Sequence, residues 1–268
     1  MNDVVPTAQG RLISRKVGAV GWIVMSNPAK RNALTFEMWC GFPAILREFA
    51  DDPEIRLVVL TGDGDTAFAA GADISQFGEK RSQGDALKHY NYTLQETTLA
   101  ILEFSKPLIA KIHGPCVGGG LALALDCDLR FCSDDAMFLM PAGRLGLGYE
   151  FGGIERMVQA IGPGNACDLF FSARKIYAAE ALRMGVVNRV IAKQQFAAEF
   201  EQFCEQVTAN APLTLAAAKR AMRELAKPSD QRDMVLVKKM YDACFGSDDY
   251  AEGRRAFLEK RPPRFSGK

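Results

Sequence analysis

The chain has 268 residues, of which 48% are hydrophobic, and its 33 basic and 32 acidic side chains leave a formal net charge of +1. Such a chain can bury a large core, either as one domain or as a domain with an extension. The balanced charge argues against a global electrostatic attraction to nucleic acid or to a membrane surface. The longest apolar runs, such as Leu121–Leu125, are far shorter than the roughly 20 residues that cross a bilayer.

The N-terminus and the cysteines indicate the compartment. Residues 1–10 include Asp3 and Pro6 and lack the charged start and apolar run of an export signal. The seven cysteines are scattered without a CxxC pair, which is typical of buried thiols in a reducing cytoplasm. His89 and His113 also lack the spacing of a zinc site. The sequence therefore predicts a cytoplasmic protein without a metal.

In the first part of the chain, strand-like runs alternate with helical segments. Strands are predicted over Gly18–Met25 and Leu57–Thr61. Thr35 is the predicted N-cap of the helix between them, which should end at Asp51-Asp52-Pro53. Residues 74–106 have a mostly helical pattern with a weak point around Ser82-Gln83-Gly84.

The alternation continues to about residue 190, which predicts an α/β fold, either a helix-covered β spiral or a layered sheet. Strand signals then end, so we predict a core over residues 1–193 and an all-helical region over 194–268. The predicted later elements are the strands Pro107–Ile112 and Leu129–Ser133 and the helices Leu121–Leu125, Gln195–Asn210, Leu213–Leu225 and Arg232–Cys244.

Two turns rich in small residues are the main chemical signal. Gly118-Gly119-Gly120 follows a strand and opens a helix, so its backbone N–H groups should point outward at the positive end of the helix dipole. A phosphate-binding turn or close strand–helix packing are the alternatives, although neither GxGxxG nor a P-loop is present. Ala70-Gly71-Ala72-Asp73 has the same character. Together the two turns could direct two N–H donors at one oxygen.

Several segments in the same order resemble the crotonase superfamily, which includes the enoyl-CoA hydratases and isomerases. The resemblance implies a spiral of ββα units followed by a C-terminal helical region that forms trimers, often paired into hexamers. The matching segments are Asn27–Ala33, Phe68–Asp73, Gly118–Gly120, Gly152-Gly153 and Glu252–Arg261.

The resemblance also implies the ligand contacts. The thioester oxygen of an acyl-CoA would lie between the N–H groups of Ala72 and Gly119, which stabilise an enolate more than the ground state. Lys30 and the backbone around Ala70 would lie near the nucleotide part of CoA. Phe257 and Lys260 would reach the CoA of a neighbouring subunit. No cofactor is expected, since coenzyme A is part of the substrate.

Two positions depart from the hydratase pattern. Hydratases of this superfamily use two glutamates to position water and to transfer a proton, and the corresponding residues here are Ala122 and Ala142. An alanine can neither orient water nor accept its proton. The sequence therefore favours a reaction other than ordinary hydration.

Glu150 is the candidate replacement acid, because it falls near the position of an acidic catalytic residue in related dienoyl-CoA isomerases. Its apolar and glycine neighbours suggest a setting that could raise its pKa. The alternative is a loop glutamate paired with Arg144 or Arg156.

The remaining polar residues are weaker candidates. Tyr149 could donate a hydrogen bond, and Arg144 could meet a substrate carboxylate. His89 is expected at the surface or in packing, and His113 is expected to make structural hydrogen bonds. Asp73 and Asp128 are expected to fix backbone turns.

The preferred function is therefore double-bond isomerisation of an enoyl-CoA. The alternatives are hydration by a displaced acid, thioester hydrolysis, decarboxylation, or a non-catalytic acyl-CoA-binding protein.

Overall fold

A computed structural model describes residues 11–76, 78 and 84–268 of the chain. The expectation about the first ten residues and the weak point at Ser82 and Gln83 lie outside the described residues.

Nine strands are present in the described part of the chain. They form a six-stranded sheet in the order β1-β2-β3-β4-β6-β9 and a three-stranded sheet in the order β5-β7-β8. The strands are β1 (Arg11–Val17), β2 (Val20–Ser26), β3 (Leu57–Gly62), β4 (Leu108–Ile112), β5 (Pro115–Val117), β6 (Leu129–Ser133), β7 (Met137–Leu139), β8 (Ile176–Tyr177) and β9 (Arg189–Ile191).

Ten α-helices lie within the described ranges, six of them before the last strand and four after it. They are α1 (Phe36–Asp51), α2 (Asp85–Glu103), α3 (Gly119–Asp126), α4 (Phe151–Ile161), α5 (Pro163–Ser172), α6 (Ala178–Met184), α7 (Lys193–Thr208), α8 (Pro212–Leu225), α9 (Met234–Phe245) and α10 (Asp248–Leu258).

The larger sheet is parallel except at its edge. β1 pairs antiparallel with β2, and every later neighbour pair, from β2·β3 to β6·β9, is parallel. Because parallel strands end at the same edge of a sheet, the loops after β3 and β4 meet there, and both lead to the two small-residue turns. The smaller sheet continues this edge, with β5 parallel to β7 and β7 antiparallel to β8.

Two apolar cores cover the two faces of the larger sheet. The main core joins α1, α2 and α3 to one face, with Phe42, Leu60 and Leu121 among its fully buried side chains. The second core packs α7 on the opposite face, where Phe196 and Phe200 contact it. The helix that begins at Lys193 thus shares a core with the sheet, and the division at 193/194 stays a prediction.

The predicted elements are confirmed over most of their length. Thr35 caps α1 by accepting a hydrogen bond from the N–H of Met38, and α1 ends at Asp51. Every strand in the described residues lies before Lys193, as predicted. The edge strand β1 was not predicted, because its polar run, residues 14–16, breaks the apolar pattern that is continuous in β3.

The expectation of buried thiols is wrong for two cysteines. Cys116, Cys127, Cys132 and Cys204 are buried, but Cys40 and Cys167 are exposed. Both exposed residues are on helices, where a scattered pattern does not reveal which side faces solvent. Within residues 11–76, 78 and 84–268, no cluster of three metal-ligating side chains is found. No described helix is long and apolar enough to cross a membrane.

Candidate active site

The segment from Phe68 to Asp73 is held between two other segments by backbone hydrogen bonds. On one side, the N–H of Ala69 donates to the carbonyl of Pro115 at 3.2 Å. On the other side, the N–H of Leu34 donates to the carbonyl of Gly71, and the N–H of Asp73 donates to the carbonyl of Leu34, both at 2.8 Å. The segment is therefore fixed along both edges.

These hydrogen bonds direct the N–H of Ala72 away from Leu34. Leu34 and Ala72 form an isolated parallel bridge, in which the groups of Gly71 and Asp73 face Leu34. Alternate residues of an extended segment face opposite sides, so the Ala72 N–H points to the other side. No described residue accepts a hydrogen bond from it. Gly71 has φ +103, a conformation that favours glycine, and is buried where the segment turns.

The glycine turn opens α3 and is fixed by a backbone hydrogen bond and by close packing. Gly118 precedes the helix with φ +51, and its N–H donates to the carbonyl of Leu139 at 2.9 Å. Gly120 packs so closely that a Cβ there would lie 2.6 Å from the Cβ of Ala69. Close packing, one of the two alternatives for this turn, thus explains Gly120. It leaves unexplained the N–H of Gly119, the first residue of the helix, which has no partner in the described chain.

The two unpaired N–H groups lie close together. A Cβ on Gly119 would lie 3.7 Å from the nitrogen of Ala72, 3.5 Å from Leu34 Cδ1 and 3.1 Å from Trp39 Cζ2. Ala72 and Gly119 are both partly exposed, whereas Leu34 and Trp39 are buried. The site therefore has two backbone donors at an opening with an apolar wall, an arrangement that suits an oxygen on which negative charge develops.

Lys30 lies beside the first turn and is bound by Asp73. Its Nζ is 2.8 Å from Asp73 Oδ2 and 2.8 Å from the hydroxyl of Ser75. Burial of Asp73 opposes its ionisation, but the hydrogen bonds from Lys30 and Ser75 prevail and hold the pKa of its carboxyl below the ordinary value. Asp73 thus fixes the turn, as predicted, and also anchors Lys30. The N–H of Ala70, another predicted contact, donates to the carbonyl of Arg31.

Ala122 and Ala142 lie near the glycine turn. Ala122 follows Gly119 by three residues on α3, so both are on the same face of that helix. Ala142 is buried and follows Pro141, whose Cδ would be 3.6 Å from a Cβ on Gly118. Neither position offers a carboxylate to the site.

Glu150 precedes α4 and is exposed, so the expected apolar setting is wrong. Its Oε1 accepts a hydrogen bond from Asn91 Nδ2 at 2.8 Å. Asn91 had not been identified from the sequence, because it lies 59 residues earlier, on α2. The expected alternative partner, Arg156, instead contacts Asp126 at 3.4 Å.

The weaker candidates Tyr149, Arg144 and His89 pack against aromatic rings or lie at the surface. Tyr149 packs edge-on against Phe170, and Arg144 is exposed in a short 3-10 helix. His89 is exposed and contacts the ring of Phe36.

His113 and Asp128 were both expected to have structural roles. His113 makes the expected structural hydrogen bond through its carbonyl, which accepts from the N–H of Phe68 at 2.7 Å, whereas its buried Nδ1 has no partner among the described residues. The ring packs against Phe196 instead, and burial lowers the pKa of His113 to about 4. Asp128 accepts from the N–H of Leu108 and binds Lys219, which fixes the backbone as predicted.

Phe257 and Lys260 lie at the C-terminal end of α10. Phe257 is 83% exposed, and Lys260 is exposed with φ +55. The adjoining tail is fixed to α10 by Glu252, which binds Arg261 at 2.6 Å. Both predicted residues therefore face away from their own chain.

Comparison with known proteins decides the family. A family model described as Enoyl-CoA hydratase/isomerase matches residues 15–268. The chain belongs to the enoyl-CoA hydratase/isomerase family. Among family members, a crotonyl-CoA hydratase from Syntrophomonas wolfei is 32% identical over 97% of this chain and 100% of its own. A carnitinyl-CoA dehydratase from Proteus mirabilis is 31% identical over 94% of this chain and 96% of its own.

Solved structures of family members confirm the crotonase fold. The structure of an enoyl-CoA hydratase/carnithine racemase from Magnetospirillum magneticum superimposes with a TM-score of 0.90 at 30% identity. The match covers 98% of this chain and 97% of that one. The α/β spiral predicted from the resemblance is therefore correct.

Proposed function

We propose that the protein binds an acyl-CoA thioester with its carbonyl oxygen between the N–H groups of Ala72 and Gly119. The observation that carries the proposal is that these two unpaired donors lie close together, on partly exposed residues beside Leu34 and Trp39. Loss of the proton on Cα places negative charge on the thioester oxygen. Fixed donors stabilise that charge more than the neutral carbonyl, so they lower the barrier to enolate formation.

We propose isomerisation of the double bond as the reaction, with Glu150 transferring the proton between Cα and Cγ. Asn91 supports this role, because its N–H orients the carboxylate through Oε1, while Oε2 has no partner among the described residues and can accept a proton. The exposed position of Glu150 also supports it, since a CoA thioester entering from solvent can cover this residue.

The decisive experiment follows but-3-enoyl-CoA in deuterium oxide by chromatography and mass spectrometry. Isomerisation gives crotonyl-CoA that carries deuterium, whereas hydration adds the mass of water. The Glu150→Gln variant should bind the thioester normally and lose isomerisation and exchange. If exchange is unchanged in this variant, Glu150 is not the proton carrier. Asn91→Ala provides a graded comparison, because it leaves the carboxylate in place without its orienting donor.

Hydration is the second candidate, since relatives of this chain are named hydratases and a dehydratase. It requires a base that positions water, and neither Ala122 nor Ala142 can be that base. Conversion of crotonyl-CoA into a hydroxyacyl-CoA by the wild type, lost on Glu150→Gln, would favour hydration by a displaced acid over isomerisation. Release of free CoA would favour thioester hydrolysis, and release of carbon dioxide would favour decarboxylation. Binding without turnover of any thioester would favour a non-catalytic protein.

We also propose that Lys30 and the Ala70 backbone contact the nucleotide part of CoA, and that Phe257 and Lys260 contact the CoA of a neighbouring subunit. The contacts of Phe257 and Lys260 require an oligomer, so the assembly state of the protein tests them. Helix α9 supports a homotrimer or homohexamer, because it buries none of its residues within the chain. Its apolar side chains Val235 and Met234 are 82% and 58% exposed and are available to a partner subunit. Light scattering should give a mass three or six times that of the chain. Val235→Glu should lower that mass.

A further inference from the structure

The indole of Trp39 is a polar side chain for which the fold provides no partner. Trp39 is 3% exposed, and its Nε1 is buried without a hydrogen-bond acceptor among the described residues. Buried polar groups are nearly always paired, so an unpaired one calls for an explanation. An indole N–H can only donate, and its missing partner must therefore be an acceptor.

The position of this N–H links it to the proposed thioester site. Cζ2 of Trp39 lies 3.1 Å from the point where a Cβ on Gly119 would be, and the Ala72 nitrogen lies 3.7 Å from the same point. Cζ2 is bonded to the ring carbon that carries Nε1. The indole edge that bears the free N–H is therefore beside both backbone donors.

Neighbouring residues hold the backbone of Trp39 and pack against its ring. Trp39 is on the buried side of α1, and the hydroxyl of Thr97 on α2 donates to the Trp39 carbonyl at 2.8 Å. The ring also contacts Phe42 with centroids 6.3 Å apart. Positions Ala122 and Ala142 add no acceptor beside it, because an alanine side chain has none.

We propose that Trp39 Nε1 is a third donor of the acyl site and that it strengthens the binding of thioesters that carry an oxygen on Cβ, beside the enoyl thioesters of the proposed isomerisation. This inference rests on the proposed function, since it assumes a thioester oxygen at Ala72 and Gly119. With that oxygen in place, Cα and Cβ lie next to the indole edge, and a β-hydroxyl or β-keto oxygen can accept from Nε1. Trp39 is a positioning and specificity residue, since an indole does not exchange protons with carbon acids.

The test compares butyryl-CoA with 3-hydroxybutyryl-CoA and acetoacetyl-CoA by calorimetry, using wild type, Trp39→Phe and, as the matched control, Trp22→Phe. Trp22 packs on the other face of the sheet against Phe200. Trp39→Phe should weaken binding of the oxygenated thioesters about tenfold and leave butyryl-CoA within about twofold. Equal effects on all three thioesters, or none, would overturn the proposal.

An NMR measurement on the wild type keeps the inference testable if Trp39→Phe does not fold. The chain has two tryptophans, so protein labelled with 15N at the indole gives two side-chain N–H signals. An oxygenated thioester should move the Trp39 proton signal downfield relative to butyryl-CoA and leave Trp22 unchanged. If the wild type binds all three thioesters with the same Trp39 signal, only this inference fails. If it binds none, the proposed function fails with it.

Discussion

Replacing Gly119 by alanine tests the central geometry of the site. The new methyl group would lie 3.7 Å from the Ala72 nitrogen and would crowd the space that an oxygen needs to accept from both amides. Loss of one oxyanion donor costs about 3–4 kcal/mol in the transition state, or roughly 10²–10³ in rate. We expect a loss of this size in deuterium exchange at Cα and in isomerisation of but-3-enoyl-CoA.

The same substitution should leave the fold nearly unchanged. Gly119 is the first residue of α3 and has no positive φ, so alanine there gains at most about 0.5–1 kcal/mol over glycine. The 3.1 Å contact with Trp39 Cζ2 offsets part of this gain, because the ring must yield by a few tenths of an ångström. The free energy of unfolding in urea should therefore stay within about 1 kcal/mol of the wild type.

Two glycine variants separate the site effect from a fold effect. Gly41→Ala adds a methyl 3.4 Å from Leu12 Cδ2, an ordinary contact inside α1 and outside the site, and should raise stability by about 0.5–1 kcal/mol without changing exchange. Gly120→Ala would place a Cβ 2.6 Å from that of Ala69 and should cost about 1–3 kcal/mol of stability. If Gly119→Ala keeps an exchange rate within about threefold of the wild type, a difference of less than 1 kcal/mol, the two N–H groups do not hold the reacting oxygen.

Three further predictions concern buried polar groups. Asp73→Asn should lower stability at pH 7, and the difference should shrink as the pH falls below 3.8, because the wild-type carboxyl has a lowered pKa. Burial raises the pKa of Asp126 to about 6, so wild-type stability should fall by up to about 3 kcal/mol as the pH rises from 3.8 through 6, and Asp126→Asn should flatten this dependence. Asn32→Ala should cost about 2–4 kcal/mol, because Asn32 has φ +58 and donates to the carbonyls of Asp63 and Ala67. Urea unfolding across the pH range measures all three.

Each of these predictions has its own contrary result. A constant difference between Asp73→Asn and wild type from pH 3 to pH 7 would show that the charge of Asp73 is not what stabilises the turn. An unchanged pH profile in Asp126→Asn would assign the titration to another group. Asn32→Gly should recover the backbone part of the loss, since glycine adopts a positive φ freely. Equal losses for alanine and glycine would place the whole effect in the hydrogen bonds.

The sequence predicted elements well where burial is complete on both sides. All six residues of β3 are buried, and such an apolar run between helices has few alternatives. The edge strand β1 was missed because its polar run, residues 14–16, gives no regular strand pattern and its structure depends on pairing with β2. The exposed cysteines on α1 and α5 were missed for a related reason, since the solvent-facing side of a helix depends on what packs against the other side.

The candidate site was predictable in its backbone and not in its side chains. The two turns need small residues for local reasons, such as φ +103 at Gly71 and the contact of Gly120 with Ala69, and these requirements appear in the sequence. Trp39 reaches the site from α1, and Asn91 on α2 meets Glu150, because of tertiary packing. No local pattern distinguishes Asn91 from another helix residue or Trp39 from an ordinary core aromatic.

This division explains why the family is easier to establish than the reaction. Backbone donors stabilise an enolate whatever side chains surround them, so the turns can serve every reaction that passes through that intermediate. The side chains that receive the proton distinguish one reaction from another, and Ala122 and Ala142 contribute none. A proton acceptor must then come from another element of the fold. We propose this role for Glu150, whose carboxylate accepts a hydrogen bond from Asn91. Under this proposal the reaction depends on one carboxylate, which makes Glu150→Gln more informative than any change to the turns.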